Sequence, residues 1–218
     1  MIEMIEILKA VLYGIVEGIT EWLPVSSTGH LILLDEFLAL NVSPDPVFRA
    51  EYSQMFEVVI QLGAILAVAV SFFRVLWPFG AAKSADEKKD TWRLWLNILI
   101  ASVPAALVGI VLDKVIEEIS GKDIDGWIYN ATVVSVALIV YGVLFIVIER
   151  VRANSKPAIT SVHEIKPRQA ILIGIFQMLA IIPGTSRSGS TILGSMLLGL
   201  SRGAAAEFSF FLAIPAMA

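Results

Sequence analysis

The sequence predicts an all-α integral membrane protein that crosses the bilayer several times. Of its 218 residues, 57% are hydrophobic and only 17% are charged, and the mean hydropathy is +0.80. A soluble domain could not bury so large an apolar fraction, and several apolar runs approach the ~20 residues that a spanning helix needs. The net charge of −4 says little about partners, and we expect no nucleic acid partner. Because the sequence has no cysteine, it forms no disulfide, thiol nucleophile or Cys-ligated metal site.

We interpret residues 1–218 as one integral membrane domain. The N-terminal stretch MIEMIEILKA carries glutamates where a secretory signal peptide has basic residues, so we expect it to be mature sequence. The C-terminal stretch FSFFLAIPAMA stops inside an apolar run with no closing charge. We therefore expect further spans beyond it.

Two kinds of apolar run alternate along the chain. Three runs are plain spans that begin near tryptophan or tyrosine, as interfacial aromatics do. Two runs are too long for one span and are broken by Pro24 and Pro183. The predicted segments, in order, are the broken run 7–34, the spans Tyr52–Phe73, Trp92–Leu112 and Trp127–Ile148, the broken run 169–200, and a helix from Ala204.

The basic residues of the loops predict the orientation. Loops 74–93 and 149–168 each carry five Lys or Arg residues, whereas loop 35–50 carries one and loop 113–126 carries two. Positively charged loops remain in the cytoplasm. The first pair is therefore predicted to be cytoplasmic and the second pair to face outside.

The two broken runs resemble each other and indicate an internal repeat. The first reads GIVEGITEWLPVSSTGHLIL from Gly14, and the second reads GIFQMLAIIPGTSRSGSTIL from Gly174. A one-residue gap aligns their prolines and places Ser27 on Ser186. One ancestral unit used twice is typical of membrane proteins whose sites lie at the repeat interface.

The number of spans between the two copies predicts their relative orientation. Repeat one covers about 1–112 and repeat two about 127–218, with three plain spans between the broken runs. Each broken run divides at its proline into pieces too short to cross alone. This favours two re-entrant helical hairpins in an inverted-topology repeat, with tips that meet near the midplane. Two kinked spanning helices are the alternative.

The first hairpin carries acidic residues at bilayer depth. Glu17 and Glu21 are four residues apart, so a helix places both carboxylates on one face. Ionised carboxylates in a membrane are costly and repel each other. A divalent cation, Mg²⁺ or Ca²⁺, is the expected partner for such oxygen ligands. The alternative is a shallow hairpin whose glutamates contact water.

The stretch PVSSTGH after these glutamates has the composition of a reactive site. Pro24 is expected in the first turn of a new helix, and Ser26, Ser27 and Thr28 would lie near its anion-binding N-terminus. A serine and a histidine three residues apart, Ser27 and His30, share a helix face. They provide the groups of nucleophilic and acid–base catalysis.

The second tip, PGTSRSGST, is typical of a phosphate-binding turn. Arg187 is its one cation, and a guanidinium matches phosphate geometry. Simple pairing of Arg187 with the two glutamates is the alternative. The hydroxyl groups predicted to help bind the substrate are those of Ser26, Thr28, Ser186, Ser188 and Thr191.

Together, the EGITE, PVSSTGH and PGTSRSGST motifs resemble the undecaprenyl-diphosphate phosphatase family of the bacitracin-resistance type. The resemblance implies a multi-pass enzyme of the bacterial inner membrane that hydrolyses undecaprenyl diphosphate and so recycles the cell-wall carrier lipid. It also implies a divalent-cation requirement, inverted re-entrant helices and a site open to the outer side.

Residue by residue, the resemblance assigns roles to the two tips. Glu17 and Glu21 match the acidic pair that acts on metal and diphosphate, and Arg187 matches the phosphate-binding arginine. Ser27 and His30 match residues proposed for catalysis. We favour Ser27 as nucleophile or water-positioner with His30 as general acid/base, and a phosphohistidine at His30 is the rival.

Two other functions fit the same residues. An inverted-repeat transporter would bind an anionic or lipid-phosphate substrate without breaking a bond, and a lipid-binding scaffold would not turn over at all. The sequence leaves the oligomeric state open, a homo-oligomer included.

Overall fold

The computed structural model describes residues 4–120, 131–152 and 155–217, and most of these residues are helical. Short 3₁₀ turns lie at Val162–Glu164 and Met178–Ile181. The α-helices are α1 Met4–Trp22, α2 Ser27–Leu38, α3 Pro46–Ser71, α4 Phe73–Leu76, α5 Ala85–Ser120, α6 Ala131–Arg152, α7 Pro167–Gln177, α8 Arg187–Leu197 and α9 Arg202–Met217.

Three of these helices are long and apolar enough to span a bilayer. They are Pro46–Ser71, Ala85–Leu112 and Thr132–Arg152. Only 17%, 22% and 11% of their apolar windows are buried within the chain, so most of this surface is free to face lipid. The prediction of a multi-pass all-α membrane protein is confirmed. The predicted start of the third span at Trp127 lies outside the described residues.

Two helices are longer than predicted, because they extend into polar residues that the sequence analysis placed in loops. α3 begins six residues before Tyr52, because the Asp45 side chain accepts a hydrogen bond from the Val47 N–H, and Pro46 fits the first turn. α5 continues to Ser120, so the first part of the predicted loop 113–126 is helical. The rest of that loop lies outside the described residues.

Each broken run folds as a helix, a turn and a second helix. α1 ends at Trp22 and α2 begins at Ser27, with the two helices packed together. α7 ends in the 3₁₀ turn Met178–Ile181, and α8 follows.

Pro24 does not begin a helix as predicted, because it lies in the turn before Ser26. Ser26 caps α2, since its Oγ accepts a hydrogen bond from the Gly29 N–H at 3.3 Å.

The helix after the second turn is capped in the same way as α2. The Ser186 Oγ accepts from the Gly189 N–H at 3.0 Å and caps α8 as Ser26 caps α2. In its capping role Ser186 therefore matches Ser26 and not Ser27, the residue with which the predicted repeat aligned it. The ungapped alignment pairs the two caps, and Ser27 then corresponds to Arg187.

The larger core lies around the second hairpin. α5 packs against α7, and α9 packs against α3, α5 and α8. Its fully buried side chains include Ile98, Ile173, Phe208 and Phe211. A smaller core of Tyr13, Leu31 and Leu40 holds α1, α2 and α3 together. The two packed units hold the polar turns of the hairpins in fixed positions.

Candidate active site

The turns of the two hairpins meet and enclose a polar cavity. The Arg187 Nη2 lies 2.6 Å from the Glu21 Oε1 across 166 residues of sequence. The Ser188 hydroxyl donates to the Leu23 carbonyl at 3.4 Å. Beside these contacts lies a cavity of about 270 Å³, lined by residues of both turns. The motifs that the sequence analysis singled out thus contribute to one site.

Glu21 is the centre of the hydrogen bonding in this cavity. Its Oε1 accepts from Arg187, and its Oε2 accepts from the Ser27 hydroxyl at 2.7 Å. Both side chains line the cavity with Glu21. A short bond from a hydroxyl to a carboxylate is the geometry in which a base removes the proton of a nucleophile.

Arg187 keeps donors for a ligand after its contacts within the protein. Its Nη1 donates to the Ser209 carbonyl at 3.2 Å and its Nη2 donates to Glu21. The buried Nε has no hydrogen-bond partner. A guanidinium carries five N–H donors, so the second N–H of Nη1 and the second N–H of Nη2 remain for an oxyanion in the cavity. Arg187 therefore makes the charge pair that the sequence left as an alternative and retains the capacity to bind phosphate.

Glu17 is buried without a hydrogen-bond partner. Its side chain lies one turn before Glu21 on α1, is only 1% exposed, and neither carboxylate oxygen makes a hydrogen bond. Glu17 does not line the cavity itself. A desolvated carboxylate is unfavourable unless a proton or a cation neutralises it.

The predicted hydroxyl residues divide into two groups. Ser26, Thr28 and Ser186 line the cavity. Ser188 and Thr191 do not line it. The Ser188 Oγ lies 3.1 Å from the Ser186 Oγ, and the fully buried Thr191 hydroxyl lies 2.6 Å from the Ser209 Oγ.

Backbone strain is present at Ser26. Its φ of 63° lies in the left-handed region, which costs a non-glycine residue roughly 1–2 kcal/mol. Strain of this kind is typical of functional turns.

His30, a predicted catalytic residue, does not line the cavity, and its ring bonds to the Ser26 carbonyl and not to the Ser27 hydroxyl. Its ring is exposed, and its Nδ1 is 2.8 Å from the Ser26 carbonyl oxygen. Because a carbonyl only accepts, Nδ1 must carry the proton. In the neutral ring, Nε2 is then the nitrogen with the free lone pair.

Two residues of the site were missed by the sequence analysis. Gln61 of α3 lines the cavity, and Ser209 of α9 contacts both Arg187 and Thr191. Thr185, a hydroxyl residue of the predicted phosphate-binding turn, lines the cavity as well. Gln61 is the one hydrogen-bonding side chain between positions 58 and 70. An isolated polar residue in an apolar span is the signal that could have identified it.

Comparison with known proteins identifies the family. The family model of the bacitracin resistance protein BacA matches residues 10–218. The chain belongs to the BacA family.

Curated relatives are similar along nearly the whole chain. An undecaprenyl-diphosphatase of Enterococcus faecalis is 51% identical over 209 residues, which are 96% of this chain and 71% of that protein. Undecaprenyl-diphosphatase 1 of Clostridioides difficile is 53% identical over 214 residues, 98% of this chain and 72% of that protein. An undecaprenyl-diphosphatase of Limosilactobacillus fermentum is 54% identical over 214 residues, with the same coverages.

The carboxylate oxygens of this BacA-family site fit a divalent cation whose remaining ligands come from the substrate. Among the described residues, no cluster of three or more His, Cys, Asp or Glu side chains could hold a metal. Glu17 and Glu21 offer two carboxylates, of which that of Glu17 is unpartnered. Mg²⁺ is commonly held by one or two carboxylates together with phosphate oxygens and water. The residues present suit that mode and not a closed protein cage.

Proposed function

We propose that this chain hydrolyses undecaprenyl diphosphate to undecaprenyl phosphate and inorganic phosphate. This reaction recycles the lipid carrier of cell-wall synthesis and gives resistance to bacitracin. The name shared by the relatives supports the proposal. The observation that carries it is the convergence of Arg187, Glu21 and Ser27 on one cavity.

In this proposal, Arg187 and the two helix N-termini bind the diphosphate. The two remaining Nη N–H groups of Arg187 donate to phosphoryl oxygens. The N-termini of α2 and α8, capped by Ser26 and Ser186 at the cavity, add favourable dipoles for an anion. Thr28 contributes a further hydroxyl, and Ser188 and Thr191 hold the turn in shape.

Ser27 either attacks the terminal phosphorus or holds the water that attacks it. In both routes a proton passes to Glu21, which already accepts the Ser27 hydrogen bond. The bond from phosphorus to the bridging oxygen breaks, and undecaprenyl phosphate leaves. In the serine route, water then releases phosphate from Ser27. His30 acts as a general acid/base through its Nε2.

Glu17 and Glu21 are proposed to bind Mg²⁺ or Ca²⁺ together with the diphosphate. When bound, the cation neutralises charge on the phosphoryl oxygens and on the leaving group. The unpartnered, buried carboxylate of Glu17 supports this role.

We further propose that the hairpins are re-entrant and related by inverted topology. α2 and α8, with 12 and 11 residues, reach about 18 Å or less at 1.5 Å per residue, well short of a ~30 Å hydrocarbon core. α1, with 19 residues, is longer than predicted and reaches about 28 Å, so the short second helix of each run carries this proposal. Three spanning helices lie between the hairpins, which supports opposite orientations of the two copies. The protein is proposed to lie in the inner membrane with its site open to the outer side.

The decisive experiment measures phosphate release from undecaprenyl diphosphate by the purified protein with Mg²⁺ and with EDTA. We expect release with Mg²⁺ and its loss with EDTA. Arg187→Lys keeps the charge but loses the forked donors, so activity should fall about 10²-fold, the cost of one transition-state donor. Arg168→Lys, an exposed site, is the control. Counterflow in liposomes with chemically unchanged lipid would instead indicate a transporter.

A further inference from the structure

Gln61 is a polar group that the proposed chemistry leaves unused. It lies on α3, outside the three motifs, and lines the same cavity as Glu21, Ser27 and Arg187. Its amide makes no hydrogen bond to any residue in the described ranges. The side chains that follow it along α3 are apolar as far as Val70, and Glu57 lies one turn before it. Polar groups at bilayer depth usually face a cavity or a partner.

The two helices that follow the hairpins contribute to the cavity in different ways. Ser209 of α9 accepts a bond from Arg187 through its carbonyl and contacts Thr191 through its hydroxyl. α9 is therefore engaged in holding the phosphate-binding turn. Gln61 of α3 bonds to none of the residues that the structure describes, so its amide can bind a molecule that enters the cavity.

We propose that Gln61 is a substrate-binding residue that donates its Nε2–H to a non-bridging phosphoryl oxygen of the diphosphate. The inference rests on the proposed function and extends it to a residue on α3. An amide suits this position because it donates without adding charge. The cavity already holds the Arg187 cation and the Glu21 carboxylate, and the carboxylate would repel the diphosphate unless neutral donors offset it.

The test compares Gln61→Ala, Gln61→Asn and Gln61→Glu with Gln54→Ala, which changes an exposed glutamine on the same helix. Two quantities are measured for each purified protein: the dissociation constant of inorganic pyrophosphate by calorimetry, and kcat and KM for undecaprenyl diphosphate. A lost bond to a charged group should weaken pyrophosphate binding and raise KM about tenfold in Gln61→Ala.

The other variants separate binding from packing. Gln61→Glu has the same shape but adds a negative charge, so it should bind pyrophosphate more weakly than Gln61→Ala. Gln61→Asn should be intermediate, and Gln54→Ala should match wild type. A packing role would instead tolerate Gln61→Glu better than Gln61→Ala, and that order would overturn the proposal.

The outcomes also distinguish this inference from the proposed function. If wild type releases phosphate and all Gln61 variants bind pyrophosphate equally, Gln61 is not a binding residue although the enzyme assignment stands. If pyrophosphate binds in a Gln61-dependent way but no phosphate is released, the binding role stands and the phosphatase proposal fails. Failure of wild type to bind pyrophosphate would overturn the role of Gln61.

Discussion

At the scale of single residues, Glu17 combines full burial with an unpartnered carboxylate. An ionised group at bilayer depth costs at least ~2.5–3.5 kcal/mol on insertion scales. We expect Glu17→Gln to raise the midpoint of thermal unfolding in EDTA and to lower phosphate release at least tenfold. Mg²⁺ should stabilise wild type, by about 2.7 kcal/mol at 100 times its dissociation constant, and should not stabilise the variant.

The exposed Glu51→Gln is the matched control for this change, because it alters the net charge equally. It should keep both the activity and the stabilisation by Mg²⁺. Persistent stabilisation of Glu17→Gln by Mg²⁺ would show that Glu17 does not bind the cation.

His30 provides a second prediction at this scale. Its Nδ1–H contacts the Ser26 carbonyl, and its Nε2 is the group available for proton transfer. An asparagine can reproduce the first contact but not the second. His30→Asn should therefore lower kcat at least tenfold, with an unchanged KM and unfolding midpoint. Near-normal kcat would mean that His30 only supports the turn backbone.

At the scale of elements, Gly14 and Gly174, the two glycines that the predicted repeat pairs, differ in their surroundings. A Cβ at Gly174 would overlap the Ala101 carbonyl oxygen and lie 3.0 Å from the Pro104 Cγ, whereas a Cβ at Gly14 would meet nothing within 4 Å. Gly174→Ala should therefore separate α7 from α5 and cost about 1–3 kcal/mol of unfolding free energy. Gly14→Ala should gain about 0.5–1 kcal/mol of helix stability. Urea unfolding in detergent checks both, and equal effects would contradict the packing argument.

At this scale, the sequence predicted where the two turns lie but not which serine caps the helix that follows. The prolines located both turns to within a few residues, because a proline disfavours continuation of a helix. Adjacent serines could not be ranked as caps from the sequence. Ser26, and not Ser27, caps α2 in a backbone conformation with a φ of 63°. The Ser27 hydroxyl then donates to Glu21 instead of capping the helix.

Pairs formed between distant elements were only partly predictable. Arg187 and the acidic helix could be matched by charge, although the choice of Glu21 over Glu17 required tertiary structure. Gln61 and Ser209 lie in helices whose apolar pattern indicates only a span. The mean hydropathy of a helix is set by its many lipid-facing side chains. It does not indicate which face of the helix lines a cavity.

At the scale of the whole molecule, the chain's lack of cysteine allows topology to be tested with single cysteines. If the hairpins are re-entrant, Met4 and Pro44 flank the first on one side of the membrane, and Arg168 and Gly203 flank the second on the other. Cysteines at Met4 and Pro44 should react with an impermeant maleimide in intact cells. Those at Arg168, Gly203 and the cytoplasmic control Ala81 should react only after permeabilisation. All five positions are exposed, so burial would not explain protection from the reagent.

Kinked spanning helices would place Met4 and Pro44 on opposite sides of the membrane, and likewise Arg168 and Gly203. That labelling pattern would rule out the re-entrant, inverted arrangement.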